Sequence, residues 1–530
     1  MPSNGGHSIP SEEKISQSRP HLRELVHPKW LLASGWIALA SLLSLIVPWG
    51  IAKIVDTGIA IRDVQSLVFW LVIASLAQIL SGILRYTGVC HIAKHRLTLQ
   101  MKRMNALFKR VMHADMRALP DQVRGEAMGQ ILFASASESY FMEVLYTQGA
   151  ALFVTMLGTV AALIYLSWQT AILSLILCPF SALLWLWLRR KIRPAARREF
   201  ETQESLFREF TEFFTALTSI RALHRESQFT SKFETTSEQC CQAGYVLQKR
   251  LAVQGPFFDI LQALVLIAVF GYGGYLVMSD VMTIGAIVAF EVYLARLFAI
   301  LKNSTSIFTA WQQYLEGRAR AHDIEHLPAA AEVHFEKAQA PELLNVAHLS
   351  FAFGDHVIWQ DENLSLSEGE HQAILLPSGS GKTTLARCIL GLYPADEGTI
   401  ALPEGDVHNI GFVCQENVLF DGSIRDNISL LGHELTDEQY REVLYLCALE
   451  EVEQRFGTES IGDQGARLSG GEQRRVMLAR ALAAQPRLLI IDQMASELEP
   501  ELCRQIFGRI RERYPQMGIL YFGHRMPEWD

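Results

Sequence analysis

Leu376-Pro377-Ser378-Gly379-Ser380-Gly381-Lys382-Thr383-Thr384 follows an apolar run, Ala373–Leu375, and precedes a helix-forming segment, Leu385–Leu390. This order predicts a buried strand, a glycine-rich turn and the N-terminus of a helix. Glycines let the backbone N–H groups of such a turn point inward, and the helix dipole favours an anion there. Lys382 could then reach the β- and γ-phosphates of a nucleotide, and Thr383 could offer its hydroxyl to Mg²⁺. The stretch therefore predicts a phosphate-binding loop in an α/β domain.

The loop departs from the usual pattern at its first position. That pattern, G-x-x-x-x-G-K-[ST], begins with glycine, whereas this chain has Leu376 there. A glycine-rich turn that binds nothing would be an alternative explanation of the loop taken alone. The segments downstream have to decide between the two.

Four further segments follow the loop. They are Val413-Cys414-Gln415-Glu416-Asn417 after an apolar pair, Leu468-Ser469-Gly470-Gly471-Glu472-Gln473-Arg474-Arg475 at a helix start, the buried strand Leu488-Leu489-Ile490-Ile491-Asp492, and His524 after the strand Ile519–Phe522. With the loop, this set resembles the nucleotide-binding domain of an ATP-binding cassette (ABC) transporter. The Leu-Ser-Gly-Gly-Glu signature is specific to that family. The resemblance implies ATP and Mg²⁺ as cofactors.

The resemblance also implies a role for each polar residue. The ATP phosphates would be bound by Ser378, Gly379, Ser380, Gly381, Lys382, Thr383 and Thr384. Mg²⁺ would be held by Thr383, by Gln415 and, through water, by Asp492. His524 would contact the γ-phosphate. Phe353 would stack on adenine, although a place in the strand core explains it nearly as well.

The signature implies a second subunit. Its helix would direct Ser469, Gly470, Gly471 and Glu472 at the ATP held by an opposite chain, because a helix N-terminus attracts anions. One chain then cannot complete a site, so dimerisation would be part of the mechanism.

Gln493 stands where the family normally has a glutamate that polarises the attacking water. A glutamine amide can orient a water but cannot accept its proton, and general-base assistance is typically worth about 10²–10⁴ in rate. Ser496-Glu497-Leu498-Glu499 also departs from the usual Ser-Ala-Leu-Asp. Three explanations stay open: a degenerate half of a heterodimer, a slow homodimer, and an engineered glutamate replacement. We favour the heterodimer and count Gln493, Gln415 and His524 as the catalytic positions.

Composition limits the class of protein. Half of the 530 residues are hydrophobic and 19% are charged, so apolar and charged residues must be segregated into different domains. The formal net charge of −9 argues against nucleic acid as a partner. The eight cysteines show no zinc-type or disulfide-scaffold spacing. Residues 1–27 are polar and predict a cytoplasmic tail without a signal peptide.

Six apolar runs of about 20 residues each predict six transmembrane helices. They are approximately Pro28–Val55, Leu67–Val89, Ala150–Trp168, Ala171–Leu188, Leu251–Met278 and Ile284–Ile307. The two long links, Cys90–Gly149 and Arg189–Arg250, are rich in Arg and Lys, so the positive-inside rule places them in the cytoplasm. The predicted fold class is an all-α membrane domain of six transmembrane helices with long cytoplasmic extensions, followed by an α/β P-loop domain.

The predicted domain boundaries follow the composition. They are a tail at 1–27, the six-helix domain at 28–320, a linker at 321–342 and a nucleotide-binding domain at 343–530. The sequence ends six residues after His524, so the last domain is expected to be compact and short at its C-terminus.

This arrangement resembles the exporter-type ABC half-transporter, in which long intracellular helices carry two short coupling helices to the nucleotide-binding domains. The resemblance implies coupling stretches near Asp115–Gly125 and Leu217–Phe229; ordinary amphipathic helices are the alternative. It implies a multi-pass protein in the bilayer of a bacterial inner membrane, with a cytoplasmic nucleotide-binding domain. It also implies a second ABC half-transporter as partner, unlike rather than identical.

Three ionisable residues in the predicted spans are candidates for substrate contact: Asp259, Glu291 and Arg296. A structural ion pair between Asp259 and Arg296, or a position of Arg296 beyond the hydrocarbon, is an equal alternative. The cargo could be a small molecule, a peptide or a lipid. The alternative functions are an importer built on the exporter fold, of the metallophore-uptake type, a slow homodimeric exporter and a non-transporting regulatory subunit.

Overall fold

The computed structural model describes residues 28–119, 121–175, 178–331, 333–377, 379–405, 407–416, 418–430, 435–494 and 499–526. The predicted tail, Ser378 and Ser496-Glu497-Leu498 lie outside the described residues. The chain divides into two compact units, 1–109 with 125–326 and 110–124 with 327–530.

The first unit is entirely helical among its described residues. Its helices are α1 (Pro28–Ser44), α2 (Ile46–Lys53), α3 (Val64–Met112), α4 (Asp121–Val144), α5 (Ala150–Leu166), α6 (Trp168–Leu175), α7 (Cys178–Thr215), α8 (Leu217–Ala222), α9 (Glu226–Ala252), α10 (Gln254–Met278) and α11 (Ile284–Glu325). The first residues of α4 belong to the second unit. Two wider π-helical segments, Ile54–Ile59 and Leu145–Gly149, continue α2 and α4.

Five helical stretches in the described part of the chain are long and apolar enough to cross a membrane. They are Pro28–Ile59, Val64–Met112, Met128–Leu166, Glu226–Met278 and Ile284–Glu325. The other predicted span, Ala171–Leu188, falls on α6 and α7, which flank the two undescribed residues 176–177. The helical membrane domain is therefore confirmed, and the number six stays a prediction.

The membrane helices carry apolar side chains both on the faces buried in the protein core and on the exposed faces, as a lipid environment requires. Val265 and Val269 of α10 are fully buried against a core that includes Phe290 of α11. Leu76 and Ile79 of α3 are 60% exposed, which would be unfavourable over a long surface in water but suits contact with lipid tails. Such exposed apolar side chains recur along the spans, so the helices form a multi-pass membrane unit.

The second unit contains two sheets. Its strands are β1 (Glu336–Lys337), β2 (Glu342–Phe353), β3 (His356–Ser367), β4 (His371–Leu375), β5 (Glu397–Leu402), β6 (Ile410–Val413), β7 (Leu488–Asp492) and β8 (Gly518–Gly523). One sheet has the order β1-β5-β2-β3, with β2 antiparallel to both neighbours. The other is wholly parallel, in the order β4-β8-β7-β6. Every residue of β7 and β8 is buried, as is typical of parallel strands covered on both faces.

Helices cover the parallel sheet. They are α12 (Lys382–Ile389), α13 (Ile424–Ser429), α14 (Asp437–Leu446), α15 (Glu450–Phe456), α16 (Gly470–Ala483) and α17 (Pro500–Arg513). The apolar face of α12, with Leu385 and Ile389, joins a core with β2 and β8. The α/β class predicted for this part of the chain is confirmed.

Residues 110–124 belong to the second unit although they precede it by about two hundred positions in the chain. Ala114 forms an antiparallel bridge with Ala329, and the backbone N–H of Asp115 donates to the Pro328 carbonyl at 2.9 Å. Met116 packs against the core that contains α12 and β2. We call this segment the 110–124 loop; it contains the first predicted coupling stretch as far as Arg124.

Candidate functional site

The parallel sheet brings the predicted site residues to one edge. The phosphate loop follows β4, Gln415 follows β6, Gln493 follows β7 and His524 follows β8. Strand ends are in register there, because Leu375 pairs with Gly523 and Asp492 pairs with Phe522. Ligands of open α/β sheets bind outside the carboxyl ends of the strands, which is where these side chains lie.

The loop before α12 has the conformation of a phosphate cradle. Gly379 and Gly381 have φ values of +79° and +88°, which a side chain would strain. Leu376 lies outside the left-handed region, so its backbone does not require the glycine of the usual pattern. Its N–H donates to the Gly523 carbonyl at 3.2 Å, which ties the loop to β8.

Lys382 is only 4% exposed, and its ammonium group is held by the loop itself. Its Nζ donates to the carbonyl oxygens of Leu376 and Pro377, both at 2.7 Å. Burial lowers the pKa of Lys382, and the negative charge of Asp492 opposes that effect. A bound phosphate could replace the two carbonyl acceptors, and its charge would favour the ammonium form.

Asp492 and Thr383 fit a magnesium ion. Asp492 is 0% exposed and its Oδ2 accepts a hydrogen bond from Thr383 Oγ1 at 2.6 Å. Its Oδ1 is buried without a hydrogen-bond partner in the described part of the chain. Burial raises the pKa of Asp492, and the Thr383 hydroxyl and Lys382 act against this rise. A buried carboxylate oxygen with a free lone pair, beside a hydroxyl, is a donor set that Mg²⁺ prefers.

The remaining predicted catalytic residues contact one another or the loop. Gln415 Nε2 donates to Gln493 Oε1 at 3.3 Å. Gln493 has a φ of +59°, and its N–H donates to the Phe522 carbonyl at 2.8 Å. His524 Nδ1 lies 3.0 Å from the Leu376 carbonyl oxygen, the same atom that accepts from Lys382. The edge thus holds two amides and an imidazole beside the phosphate loop but, at Gln493, no basic carboxylate.

The signature residues form a well-capped helix start. Ser469 caps α16, its hydroxyl accepting from the Glu472 N–H while the Glu472 carboxylate accepts from the Ser469 N–H. Arg455 binds the same carboxylate at 2.9 Å. Although burial acts to raise it, the Arg455 and Ser469 hydrogen bonds lower the pKa of Glu472. Ser469 and Gly470 are exposed, so this N-terminus is open to a ligand from outside.

Phe353 ends β2 and is 42% exposed. Its ring contacts the buried rings of Phe351 and Tyr393 edge to face, at centroid distances of 5.0 and 5.7 Å. Arg387 of α12 donates to the Tyr393 hydroxyl at 3.1 Å. Part of the Phe353 ring therefore packs inward and part is available to a base, so its adenine contact stays a prediction.

Trp359 of β3 supports the phosphate loop, a role that the sequence does not predict. Its Nε1 donates to the Gly381 carbonyl at 2.9 Å. A Cβ on Gly381 would lie 2.4 Å from Ile358 Cγ2, so these two neighbours require glycine at that position. Strand alternation predicts only a core position for such a tryptophan, and its spacing from the loop gives no signal.

The ionisable residues of the membrane helices have partners other than those expected. Asp259 pairs with Lys302 at 3.2 Å. Arg296 Nη1 donates to the Ser44 carbonyl at 2.6 Å and lies 3.1 Å from its hydroxyl. The alternative of an Asp259–Arg296 pair is therefore wrong. Glu291 is half-buried in α11, and it stays a candidate for substrate contact.

Comparison with known proteins extends these observations. The family described as "ABC transporter transmembrane region" matches residues 31–301, and the family "ABC transporter" matches residues 359–496. Both families are thus matched in one polypeptide, the transmembrane region first.

Several curated proteins are similar to this chain. An ATP-dependent lipid A-core flippase of Syntrophus aciditrophicus (strain SB) is 27% identical over 387 residues, 70% of this chain and 64% of the flippase. The Toxin RTX-I translocation ATP-binding protein of Actinobacillus pleuropneumoniae is 27% identical, over 77% of this chain and 57% of its own length. A multidrug efflux ATP-binding/permease protein of Mycobacterium bovis (strain BCG / Pasteur 1173P2) is 27% identical, over 95% and 43%. The chain spans less than two thirds of the length of each of these relatives.

A solved structure shares the fold. The structure of a bacterial Atm1-family ABC exporter with ATP bound has a TM-score of 0.81 and 18% sequence identity, covering 94% of this chain and 92% of that one. The likeness extends over both units, so the order of helical unit and α/β unit is that of an exporter fold.

Proposed function

Because this chain belongs to the ABC transporter family, with a transmembrane region and a cassette in one polypeptide, we propose that it is an ATP-driven half-transporter of the export type. It binds ATP and Mg²⁺ in the cassette and moves a small molecule, peptide or lipid across a bacterial inner membrane. The observation that carries the proposal is the shared strand edge, where Lys382, Asp492 and His524 surround one phosphate loop. The relatives described above are named for a lipid A-core, for a toxin and for multidrug efflux, so they do not narrow the class of cargo.

A nucleotide fits the site in detail. Lys382 would exchange two carbonyl acceptors for phosphate oxygens. The buried Ser380 hydroxyl, which has no hydrogen-bond partner among the residues that the structure describes, would gain one. Asp492 and Thr383 would hold Mg²⁺, which neutralises charge that develops on the phosphates. Gln415 would orient water together with Gln493, and His524 would donate to the γ-phosphate.

We further propose that the working unit is a heterodimer. The signature of this chain is complete and open at Ser469, whereas its own pocket has an amide at position 493 instead of a general base. In a pair of unlike chains, this signature completes the partner's competent site while the pocket at Lys382 retains nucleotide. Two identical chains would instead carry the amide in both sites.

Exposed aromatic side chains support a partner subunit. Phe207 and Phe214 near the end of α7 are 73% and 63% exposed, and Leu223 just after α8 is 69% exposed. The positive charge of this link favours a cytoplasmic position, in which lipid would not cover these side chains. Exposed apolar groups in such a position mark an interaction surface, and Leu223 lies within the second predicted coupling stretch.

Co-purification tests the heterodimer. The full chain is tagged and isolated from its native membrane, and the companion protein is identified by mass spectrometry. We expect an unlike half-transporter, little ATP hydrolysis by this chain alone, and at least about a hundredfold more by the pair, the low end of what a general base contributes. Fast hydrolysis by the isolated homodimer would overturn the heterodimer but not ATP binding.

Transport in inverted vesicles tests the direction. Export predicts ATP-dependent accumulation of cargo inside inverted vesicles, abolished by Lys382→Ala in this chain together with the equivalent change in its partner. ATP-dependent loss of cargo from the vesicles would indicate an importer. ATP hydrolysis that no cargo stimulates would favour a regulatory subunit, and either result would contradict the export proposal.

A further inference from the structure

Asp396 lies at a point where the β2–β5 ladder ends early. The last β2–β5 pair is Ser350 with Glu397, and the β2–β3 register shifts between Phe351 and Ala352. The Ala352 N–H therefore has no strand partner on the β5 side. Asp396 supplies one: its Oδ2 accepts from the Ala352 N–H at 2.8 Å, while its own N–H donates to the Ser350 carbonyl at 2.9 Å. The side chain thus extends the ladder by one rung, next to Phe353.

The other oxygen of the same carboxylate faces the 110–124 loop. Arg117 Nη1 lies 3.6 Å from Asp396 Oδ1, and Arg117 Nε lies 3.3 Å from Asp115 Oδ2. Asp115 also accepts from the Arg117 N–H at 2.8 Å, which fixes the turn Met116–Ala118. The guanidinium therefore separates two carboxylates, and its removal would leave like charges near each other.

The strand end held by Asp396 leads to the phosphate helix. Phe353 contacts Tyr393, and Tyr393 stacks on Phe351 at 5.5 Å. The Tyr393 hydroxyl accepts from Arg387 of α12, the helix that begins at Lys382. A continuous set of contacts thus joins the 110–124 loop to the ring predicted to stack on adenine.

We propose that Asp396 is a positioning residue through which Arg117 stabilises the adenine-facing end of β2, so that base binding and the conformation of the 110–124 loop are coupled. The inference rests on the proposed function, since it assumes that Phe353 receives the adenine of ATP. Arg117 should act mainly on the base, because Asp396, its ion-pair partner, hydrogen-bonds the Ala352 N–H directly before Phe353. By reciprocity, bound adenine favours the loop conformation in which the ion pair is formed.

A comparison of two competitors tests the proposal. The full chain, with its partner in lipid nanodiscs, is photolabelled with 8-azido-ATP, and its own band is quantified. Unlabelled ATP and inorganic tripolyphosphate, which lacks a base, compete with the label. Arg117→Ala and Asp396→Asn should each weaken competition by ATP about two- to fivefold, as an exposed ion pair allows. Competition by tripolyphosphate should not change.

The double variant and two references decide the outcome. Asp396→Asn keeps an oxygen that can accept from Ala352 and removes only the charge, so the double variant should be no weaker than either single one. Arg425→Ala, which breaks an exposed pair with Asp437 on other helices, is the matched control and should have no effect. Phe353→Ala should reproduce the selective loss of ATP competition.

Failure of the inference is distinguishable from failure of the proposed function. Additive effects of Arg117→Ala and Asp396→Asn, or equal losses for ATP and tripolyphosphate, would overturn the coupling while Lys382→Ala still abolishes labelling. Labelling that survives Lys382→Ala would instead overturn nucleotide binding at this site.

Discussion

Replacing Gln493 by glutamate tests whether the missing general base limits ATP hydrolysis in this pocket. The change preserves the local structure, because Gln415 donates to Gln493 Oε1 and could donate equally to a carboxylate oxygen. The N–H of residue 493 would still donate to the Phe522 carbonyl, and the positive φ there is equally unfavourable for glutamine and for glutamate. The substitution therefore alters the basicity at one position and little else.

The expected gain follows from general-base catalysis. A carboxylate that accepts the proton of the attacking water is worth about 10²–10⁴ in rate, or about 3–5 kcal/mol of activation free energy. The neighbouring Asp492 reduces this gain, since burial already raises its pKa and a second carboxylate raises it further. Bound Mg²⁺ offsets the repulsion, so we expect Gln493→Glu to hydrolyse ATP about a hundredfold faster at this site.

Single-turnover phosphate release at saturating MgATP measures the effect. The full assembly is used, with the phosphate-loop lysine of the partner replaced so that only this pocket contributes. Gln493→Ala controls for loss of the Gln415 contact and should stay slow, and Lys382→Ala should release no phosphate. An increase below about threefold for Gln493→Glu, with unchanged ATP binding, would refute the argument that the missing base limits hydrolysis.

Further predictions concern buried groups. Asp492→Asn should raise the melting temperature of the metal-free chain, because it removes a buried charge and keeps an acceptor for Thr383, and should abolish the added stabilisation by MgATP; an intact Mg²⁺ effect in scanning fluorimetry would contradict this. Since burial raises the pKa of Asp492, MgATP affinity should fall on acidification at a higher pH than an ordinary aspartate would cause, whereas tripolyphosphate without Mg²⁺ should show a smaller change in a binding titration. Burial, with a smaller contribution from Asp396, raises the pKa of Cys388 to about 12, so a maleimide should modify exposed Cys241 and leave Cys388 intact until the protein unfolds, as mass spectrometry would show.

The sequence predicts which residues lie at the sheet edge beside the phosphate loop, because each motif is a short run of consecutive residues. Gln493 follows β7 directly and His524 follows β8 directly, and parallel strands align their carboxyl ends. Only the sheet order was needed to bring them together. Five of the predicted spans fall on helical stretches long and apolar enough to cross a membrane, because apolar length is a property of consecutive residues.

The supporting contacts could not be predicted, because they join distant segments through packing. Trp359 meets Gly381 across 22 positions and Asp396 meets Ala352 across 44. The second contact exists only because the β2 register shifts, which no pattern of apolar residues specifies. Packing also decides the partner of Asp259. The shared core of α10 and α11 sets the rotation of one helix against the other, and in that rotation Asp259 pairs with Lys302 and not with Arg296.

A carboxylate at position 493 would act on ATP binding and on hydrolysis in opposite directions. The pocket already holds the buried Asp492, and the phosphates of ATP bring further negative charge. Glutamine removes one like-charge repulsion and leaves Lys382 to act on the phosphates unopposed at that position. The chain as it stands should therefore release ATP more slowly than Gln493→Glu does, measured as the dissociation of a fluorescent ATP analogue under conditions that block hydrolysis. If the faster variant retained ATP equally long, the amide would give no advantage in binding, and the assignment of this pocket as the one that retains nucleotide would fail.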